Sequence, residues 1–220
     1  MIIKADSRSY FVFDLDDTLY SEIDFLKSAY RFIASSLNPS ESEILYHEML
    51  KIYLSGGNAF KYVIEKYPGR QLSIENLLNL YRNHFPEISL RDGVFNLLTN
   101  IKKGNGKIGI ITDGRSVTQR NKIVALGIAN FIDTLVISEE IGYEKPSINL
   151  FESFMGEKSR IHYFYFGDNL SKDFISPKKL GWTCIGIVDE KNIHKKNISE
   201  FSNEYLPHIF VKNFSEIDII

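Results

Sequence analysis

The stretch FVFDLDDTLY, residues 11–20, places three carboxylates, Asp14, Asp16 and Asp17, within four positions at the end of an apolar run that begins at Tyr10. The run does not alternate with polar residues, the pattern of a strand covered on both faces. The same pattern recurs in KIGII (107–111), HYFYF (162–166) and TCIGIV (183–188), and in shorter form in TLVIS (134–138). Helical patterns separate these runs, over 92–103, 117–128, 148–154 and 172–182. In the second of them Val117, Ile123, Val124 and Ile128 are the apolar positions. Strand then helix, repeated, predicts an α/β fold, a Rossmann-like doubly wound parallel sheet.

Between residues 21 and 89 the rhythm breaks. Four helices are expected there, over 21–37, 40–54, 59–67 and 73–85, and no strand. Ser21 with Asp24, and Ser40 with Glu43, have the three-residue spacing of a capping box. Breaks are expected at Asn38-Pro39, Gly56-Gly57, Pro68-Gly69 and Pro86. The expectation is a core domain of residues 1–19 and 89–220 with an all-helical cap domain, 20–88, inserted after the first strand. Because the insertion leaves the core just beyond the acidic cluster, it is placed to act as a lid.

Composition narrows the partners. With 220 residues and 44% hydrophobic side chains the chain can bury a sizeable core, and one cysteine, Cys184, excludes an internal disulfide framework. The five histidines show no spacing with it that suggests zinc. Twenty-six basic against 28 acidic side chains give a net charge of -2, no general attraction to nucleic acid or to an anionic membrane. The first residues lack a signal-peptide pattern and no apolar run is long enough to span a bilayer, so a cytoplasmic protein is expected. Asn197 and Asn213 match the glycosylation pattern but are expected to be ordinary surface residues, and 189–200 a polar surface loop.

Ligands of open parallel sheets sit at the carboxyl ends of strands. Three apolar runs end in polar residues there: Asp14, Thr112-Asp113-Gly114 and Gly167-Asp168-Asn169. Asp14 and Asp16, two apart, should project to one side, and Asp17 away, capping the turn. Carboxylates held together raise one another's pKa values unless they share a cation or proton, and an oxygen-only set favours Mg²⁺. Asp168 and Asp173 are candidates to complete such a site. Thr112, at a strand-to-helix junction, and Lys145, in GYEKPS, suggest that the metal serves a phosphoryl group.

DLDDTL (14–19), ITDG (111–114), EKP (144–146) and GDNLSKD (167–173), in this order, resemble the four motifs of the haloacid dehalogenase-like hydrolases. The likeness covers the core from about residue 10 to 190, and the inserted helices resemble the family's C1-type cap. A typical member is a Mg²⁺-dependent phosphatase. The resemblance implies that Asp14 is the nucleophile, forming an aspartyl-phosphate, and Asp16 the acid and base. It implies that Mg²⁺ is held by the Asp14 carboxylate, the Asp16 carbonyl and Asp168, with Asp173 bound through water or supporting the ligands. Thr112 and Lys145, with amides near Asp113 and Gly114, would hold the phosphoryl oxygens.

The expected substrate is a small phosphorylated metabolite, a sugar phosphate or a nucleoside monophosphate, and the expected assembly a monomer or homodimer. A phosphomutase or a catalytically silent phospho-ligand binder could use the same core. Asp16 argues against dehalogenation. Phosphonate hydrolysis would need a Schiff-base lysine from among Lys27, Lys51, Lys61 and Lys66. Arg115 and Ser116 are candidates for leaving-group contacts, Gly56-Gly57-Asn58 reads first as a turn, and the cap aromatics read first as packing residues.

Overall fold

A computed structural model describes residues 1–155, 161–188 and 198–220. Its centre is a six-stranded, wholly parallel sheet. After a two-residue strand β1 (Ile2–Ile3) come β2 (Ser9–Phe13), then α1 (Glu22–Leu37), α2 (Ser42–Leu54), α3 (Ala59–Lys66) and α4 (Ile74–Asn83). The core resumes with α5 (Val94–Lys103), β3 (Lys107–Thr112), α6 (Ser116–Ala125), β4 (Thr134–Ile137), α7 (Ser138–Ile141) and α8 (Ile148–Met155). It closes with β5 (His162–Gly167), α9 (Ile175–Lys179), β6 (Thr183–Ile187), β7 (Ile209–Val211) and β8 (Asp218–Ile219). The sheet order is β4-β3-β2-β5-β6-β7, and β1 pairs with β8 beside it. The α/β parallel sheet expected from the apolar runs is present. The runs at 2–3, 209–211 and 218–219 were too short to register as strands.

Every residue of β2 is buried, because the pleat sends Phe11 and Phe13 to one face and Tyr10 and Val12 to the other, and both faces are covered. The first face packs on Val94, Leu97, Leu98 and Ile101 of α5. The second packs on Leu150, Phe151 and Phe154 of α8 and on Trp182. A third cluster, from Leu26, Ile33, Leu45, Met49, Val63 and Leu77, joins α1, α2, α3 and α4 to one another.

Two local expectations differ from the structure. Neither anticipated capping box forms: the Ser21 side chain makes no cap bond, and the first amide of α1, Glu22 N–H, donates instead to the Asp17 carboxylate at 2.8 Å. Helix α2 starts at Ser42, after a 3-10 turn, Pro39–Glu41, in which the Ser40 hydroxyl donates to Asn38. The box that does form pairs Ser73 with Asn76 at the start of α4. In α6 the apolar stripe is wrong, since Val117 and Val124 are exposed while Thr118, Gln119, Lys122 and Ile123 turn inward. The inner face of α6 is polar because it looks onto the carboxyl end of the sheet.

Most of the expected 189–200 loop, Asn197 included, lies outside the described residues. Among the described residues no helix is long and apolar enough to cross a membrane.

His84, just past α4, ties α1 to the end of α4. Its Nδ1–H donates to the Tyr81 carbonyl at 2.8 Å, leaving Nε2 to accept from the Ser28 hydroxyl at 3.1 Å, and Ser28 Oγ accepts the Glu87 amide at 2.8 Å. Burial pushes the imidazole pKa below its ordinary value, so the folded chain holds it neutral. The unfolded chain then binds more protons. His84 therefore stabilises fully above about pH 6.5 and loses that contribution as pH falls through the ordinary imidazole range. Thermal melts of wild type and His84→Gln from pH 8 to 5 check this: wild type is expected to show the steeper loss.

Candidate active site

The three polar strand ends fall on neighbouring strands, β3, β2 and β5, so the fold itself brings Thr112, Asp14 and Asp168 to one crevice. Asp14 N–H donates to the Phe166 carbonyl at 2.8 Å, extending β2 along β5 for one more residue. Lys145 Nζ lies 2.6 Å from Asp14 Oδ1 and 2.7 Å from Asp173 Oδ1. The Tyr165 hydroxyl donates to the same Asp173 oxygen at 3.1 Å, while Asp173 Oδ2 accepts the amides of Asp168 and Asn169 at 3.1 and 2.8 Å. Each oxygen of this fully buried carboxylate thus has two donors.

Carboxylate oxygens of Asp14, Asp168 and Asp173 lie within 4.8 Å of one another. The Thr18 hydroxyl sits between Asp14 and Asp168, 3.4 and 3.2 Å away. Asp16, whose side chain is outside that cluster, is gripped separately. Lys122 Nζ donates to Oδ1 at 2.6 Å, the Tyr20 hydroxyl donates to the same oxygen, and Gln119 Nε2 donates to Oδ2 at 2.8 Å and to Thr112 Oγ1 at 2.5 Å. Asp17, in the left-handed region at φ 54°, faces away, capping α1 and lying 3.6 Å from Arg91.

These surroundings push the two key carboxylates apart. Burial raises Asp14 well above the ordinary carboxyl value despite Lys145, and Asp173 and Asp168 add to the rise. Burial would also lower Lys145, but Asp14 and Asp173 override it and hold the ammonium charged. For Asp16, burial is outweighed by Lys122, Tyr20 and Gln119, and its pKa falls below the ordinary value. At neutral pH Asp16 is a carboxylate, and the Asp14 cluster is short of positive charge.

Two cavities open on this arrangement. The smaller, about 150 Å³, is lined by Asp14, Asp16, Thr112, Lys145 and Asp168 together with Glu22 and Lys172. The larger, about 680 Å³, is lined by Glu22 and Phe25 of α1 and Tyr81 and Arg82 of α4 on one side and by Arg115, Thr118 and Gln119, at and in α6, on the other. Arg115 thus lines the larger space, although Glu139 holds its guanidinium at 2.8 Å. Ser116 does not line it; its amide and hydroxyl donate to Glu139 and Glu140. Lys27, Lys51, Lys61 and Lys66, like Gly56, Gly57 and Asn58, line neither cavity. Asn58 instead caps α3 by accepting the Lys61 amide at 3.0 Å.

Of the expected anion-binding amides, Gly114 N–H donates to Ser138 Oγ at 2.9 Å. The Asp113 carboxylate accepts the Lys145 amide at 3.0 Å and Lys172 Nζ at 2.9 Å, so it aims the loop that carries Lys145. Sequence reasoning did not single out Thr18, Tyr20, Glu22, Gln119, Lys122 or Tyr165. A signal existed for two of them: Gln119 and Lys122 stand three apart beside Ile123, polar residues on a face that has to be buried.

Gly167 is the tightest point of the site. A Cβ there would meet Asp173 Oδ2 at 2.6 Å and its Cγ at 2.7 Å. Gly167→Ala is expected to displace Asp173 from Lys145 and from the 168–169 amides, costing about 1–3 kcal/mol of stability and most of the activity. Denaturant unfolding and a turnover assay on the same preparation measure both losses.

The model of the haloacid dehalogenase-like hydrolase family matches residues 11–187. A glyceraldehyde 3-phosphate phosphatase of Methanocaldococcus jannaschii is 29% identical over 195 residues, 82% of this chain and 85% of that one. The pyrimidine 5'-nucleotidase YjjG of Escherichia coli is 36% identical over 91 residues, 40% of each chain. Among solved structures, a magnesium-bound HAD-hydrolase of Bacillus subtilis, YfnB, superposes with a TM-score of 0.68 at 20% identity, over 96% of this chain and 97% of the other.

Proposed function

The chain belongs to the haloacid dehalogenase-like hydrolases, and from that premise we propose that it is a phosphatase whose Asp14 attacks a small phosphomonoester. The observation that carries this reading is the contrast within DLD: Asp14 on Lys145 in the small chamber, and Asp16 on its own cation, Lys122, two residues away. One carboxylate is set to attack and the other to move protons.

In this reading Lys145 and Thr112 hold the phosphoryl oxygens at the mouth of the Asp14 pocket. Asp16 is ionised at rest. A phosphate dianion arriving beside it adds a like charge and raises its proton affinity, so it takes up a proton from solvent or from the arriving ester and passes it to the leaving oxygen; once the alcohol departs, it takes a proton from the attacking water. The bond from phosphorus to Asp14 then breaks, and Asp14 is restored as phosphate is released.

The hard oxygen donors of Asp14 and Asp168, with the Asp16 carbonyl, fit Mg²⁺. When bound, the ion would neutralise charge on the phosphoryl oxygens. Asp173, with four donors already on its two oxygens, fits the role of holding Lys145 and the 168–169 turn rather than touching the ion.

The segment 20–88 is proposed as a cap over a core of 1–19 and 89–220, supported by its own apolar cluster and by the large cavity beneath it. The glyceraldehyde 3-phosphate phosphatase relative favours a sugar-type leaving group over a nucleotide. Phosphonate hydrolysis is disfavoured because none of the four candidate lysines lines either of the two cavities of the site.

Phosphate release from a panel of phosphomonoesters, with Mg²⁺ and with EDTA, tests the proposal. Mg²⁺-dependent turnover is expected. Formation of a phosphoenzyme without net phosphate release would identify a phosphomutase, and neither would identify a silent binder.

A further inference from the structure

Gln119 is almost wholly buried on the polar inner face of α6. Its side-chain nitrogen carries two hydrogens, and each has a separate partner: Asp16 Oδ2 at 2.8 Å and Thr112 Oγ1 at 2.5 Å. One planar amide therefore joins the last residue of β3 to a residue just beyond β2, the first proposed to hold the phosphoryl group and the second to move protons. The side chain is confined where it lies. A Cβ on Gly114 would come within 3.3 Å of its Cδ, so the amide sits close over the turn that follows Thr112.

The two bonds decide which way each partner faces. Thr112 Oγ1 accepts from an amide N–H, so its own hydrogen points elsewhere, and among the described residues its acceptor is the Asp113 carbonyl at a long 3.4 Å. That hydrogen is available to a phosphoryl oxygen. On Asp16, Oδ1 accepts from both Lys122 and Tyr20, whereas Oδ2 accepts from Gln119. Two donors use the lone pairs of Oδ1, so Oδ2 is the oxygen with one left for the travelling proton. We infer that Gln119 is a positioning residue: it holds the Thr112 hydroxyl and Asp16 Oδ2 at one fixed spacing, so that a phosphoryl group seated on Thr112 has its leaving oxygen within reach of the proton. Lys122 bonds Asp16 and not Thr112, and does not supply this link.

This inference rests on the phosphatase reading, and the test separates the two. Gln119→Met keeps a side chain of similar volume and removes both donors. The alcohol of 4-nitrophenyl phosphate leaves without a proton, that of an alkyl phosphate needs one, and kcat/KM covers the reaction only up to that departure. With Mg²⁺ present, the variant is expected to lose about 10²-fold in kcat/KM on the alkyl ester that wild type turns over fastest, the scale of a misplaced reacting group. On the nitrophenyl ester the loss is about 10-fold, the scale of one hydrogen bond. The ratio of the two rates therefore shifts by about 10-fold, and partial unfolding cancels from it because both come from one preparation. Inhibition by orthophosphate reads the other bond: Gln119→Met weakens it by about 10-fold alone and has no further effect in the Thr112→Val background. Gln119→Asn, one methylene shorter, keeps an amide that does not span both partners; it shifts the ratio the same way and serves if the methionine variant does not fold. An unchanged ratio, or an effect on orthophosphate that adds in full to Thr112→Val, means that Gln119 only fills space and overturns the inference. Release from no alkyl ester by wild type sinks the phosphatase reading itself, and the inference with it.

Discussion

Asp14→Asn is expected to abolish phosphate release from every substrate and, in metal-free buffer, to melt at a higher temperature than wild type. The first half follows from the attack proposed for Asp14 Oδ: the amide is a poor nucleophile, and losing a nucleophile costs on the order of 10⁴-fold or more. The second half follows from the environment. Burial, then Asp173 and Asp168, raise the Asp14 carboxyl well above its ordinary value of 3.8. A carboxyl with a raised folded-state pKa binds more protons folded than unfolded, so its contribution to stability is lost as pH rises from about 4 through the folded value. Asparagine does not titrate and keeps a group of the same shape beside Lys145. The gap in melting temperature should therefore widen from pH 4 to pH 8 and narrow when Mg²⁺ is added, since the ion favours the wild-type carboxylate. Substantial turnover by the variant would remove Asp14 from the role of nucleophile; a variant less stable than wild type at pH 8 in EDTA would contradict the electrostatic account.

Asp16→Asn is the informative companion. It should still accept phosphate from an ester with a good leaving group, because departure then needs no proton, but the phosphoenzyme should persist since no base activates water. Acid-quenched protein from a labelled substrate reads this directly.

The four central strands were legible because strands buried on both faces must be apolar throughout, and Phe11, Val12 and Phe13 leave no other reading. The bodies of α1 to α4 were legible from their periodicity, to within two residues at every end. Their starts were not. A Ser three residues before an acid is a capping box only if no other group reaches the first amides, and at α1 the Asp17 carboxylate reaches first, from a turn whose left-handed residue no pattern announces. The residues Asp14, Thr112, Lys145 and Asp168 could be placed because three of them end strands and the fourth belongs to a motif. What surrounds Asp16 could not. Lys122 and Gln119 lie more than a hundred residues from it in the chain, on a helix face that an apolar rule assigns outward, and Tyr20 and Glu22 become part of the site only because the chain turns back over it at Asp17.

Lys122→Met carries the second large expected effect. The Lys122 ammonium lies over the Phe25 ring, with Nζ 4.4 Å from its centroid, and the side chain is almost wholly buried. Methionine fills the stem's volume and removes only the charge. Asp16 is then left with Tyr20 and Gln119, burial dominates, and its pKa moves above the ordinary value instead of below it. The pH–rate profile should lose its activity at the acid end, because the base form now appears only at higher pH, and kcat/KM at neutral pH should fall by about 10²-fold, the share of one general base.

Stability follows with an opposite sign to Asp14. In wild type Asp16 has a lowered folded pKa, so it contributes stability above about pH 4 that is lost as pH falls. The variant is therefore expected to be less stable by about 1–3 kcal/mol at pH 7, below the 3–5 typical of a fully buried pair because the Asp16 edge reaches the cavity. The deficit should shrink towards pH 4. Adding Asp16→Asn to Lys122→Met removes the stranded charge, so the double variant should regain most of the lost stability and none of the activity. A double variant no more stable than Lys122→Met would mean that Lys122 acts through packing on Phe25 and Tyr20, and that Asp16 takes its low proton affinity from Tyr20 and Gln119 alone.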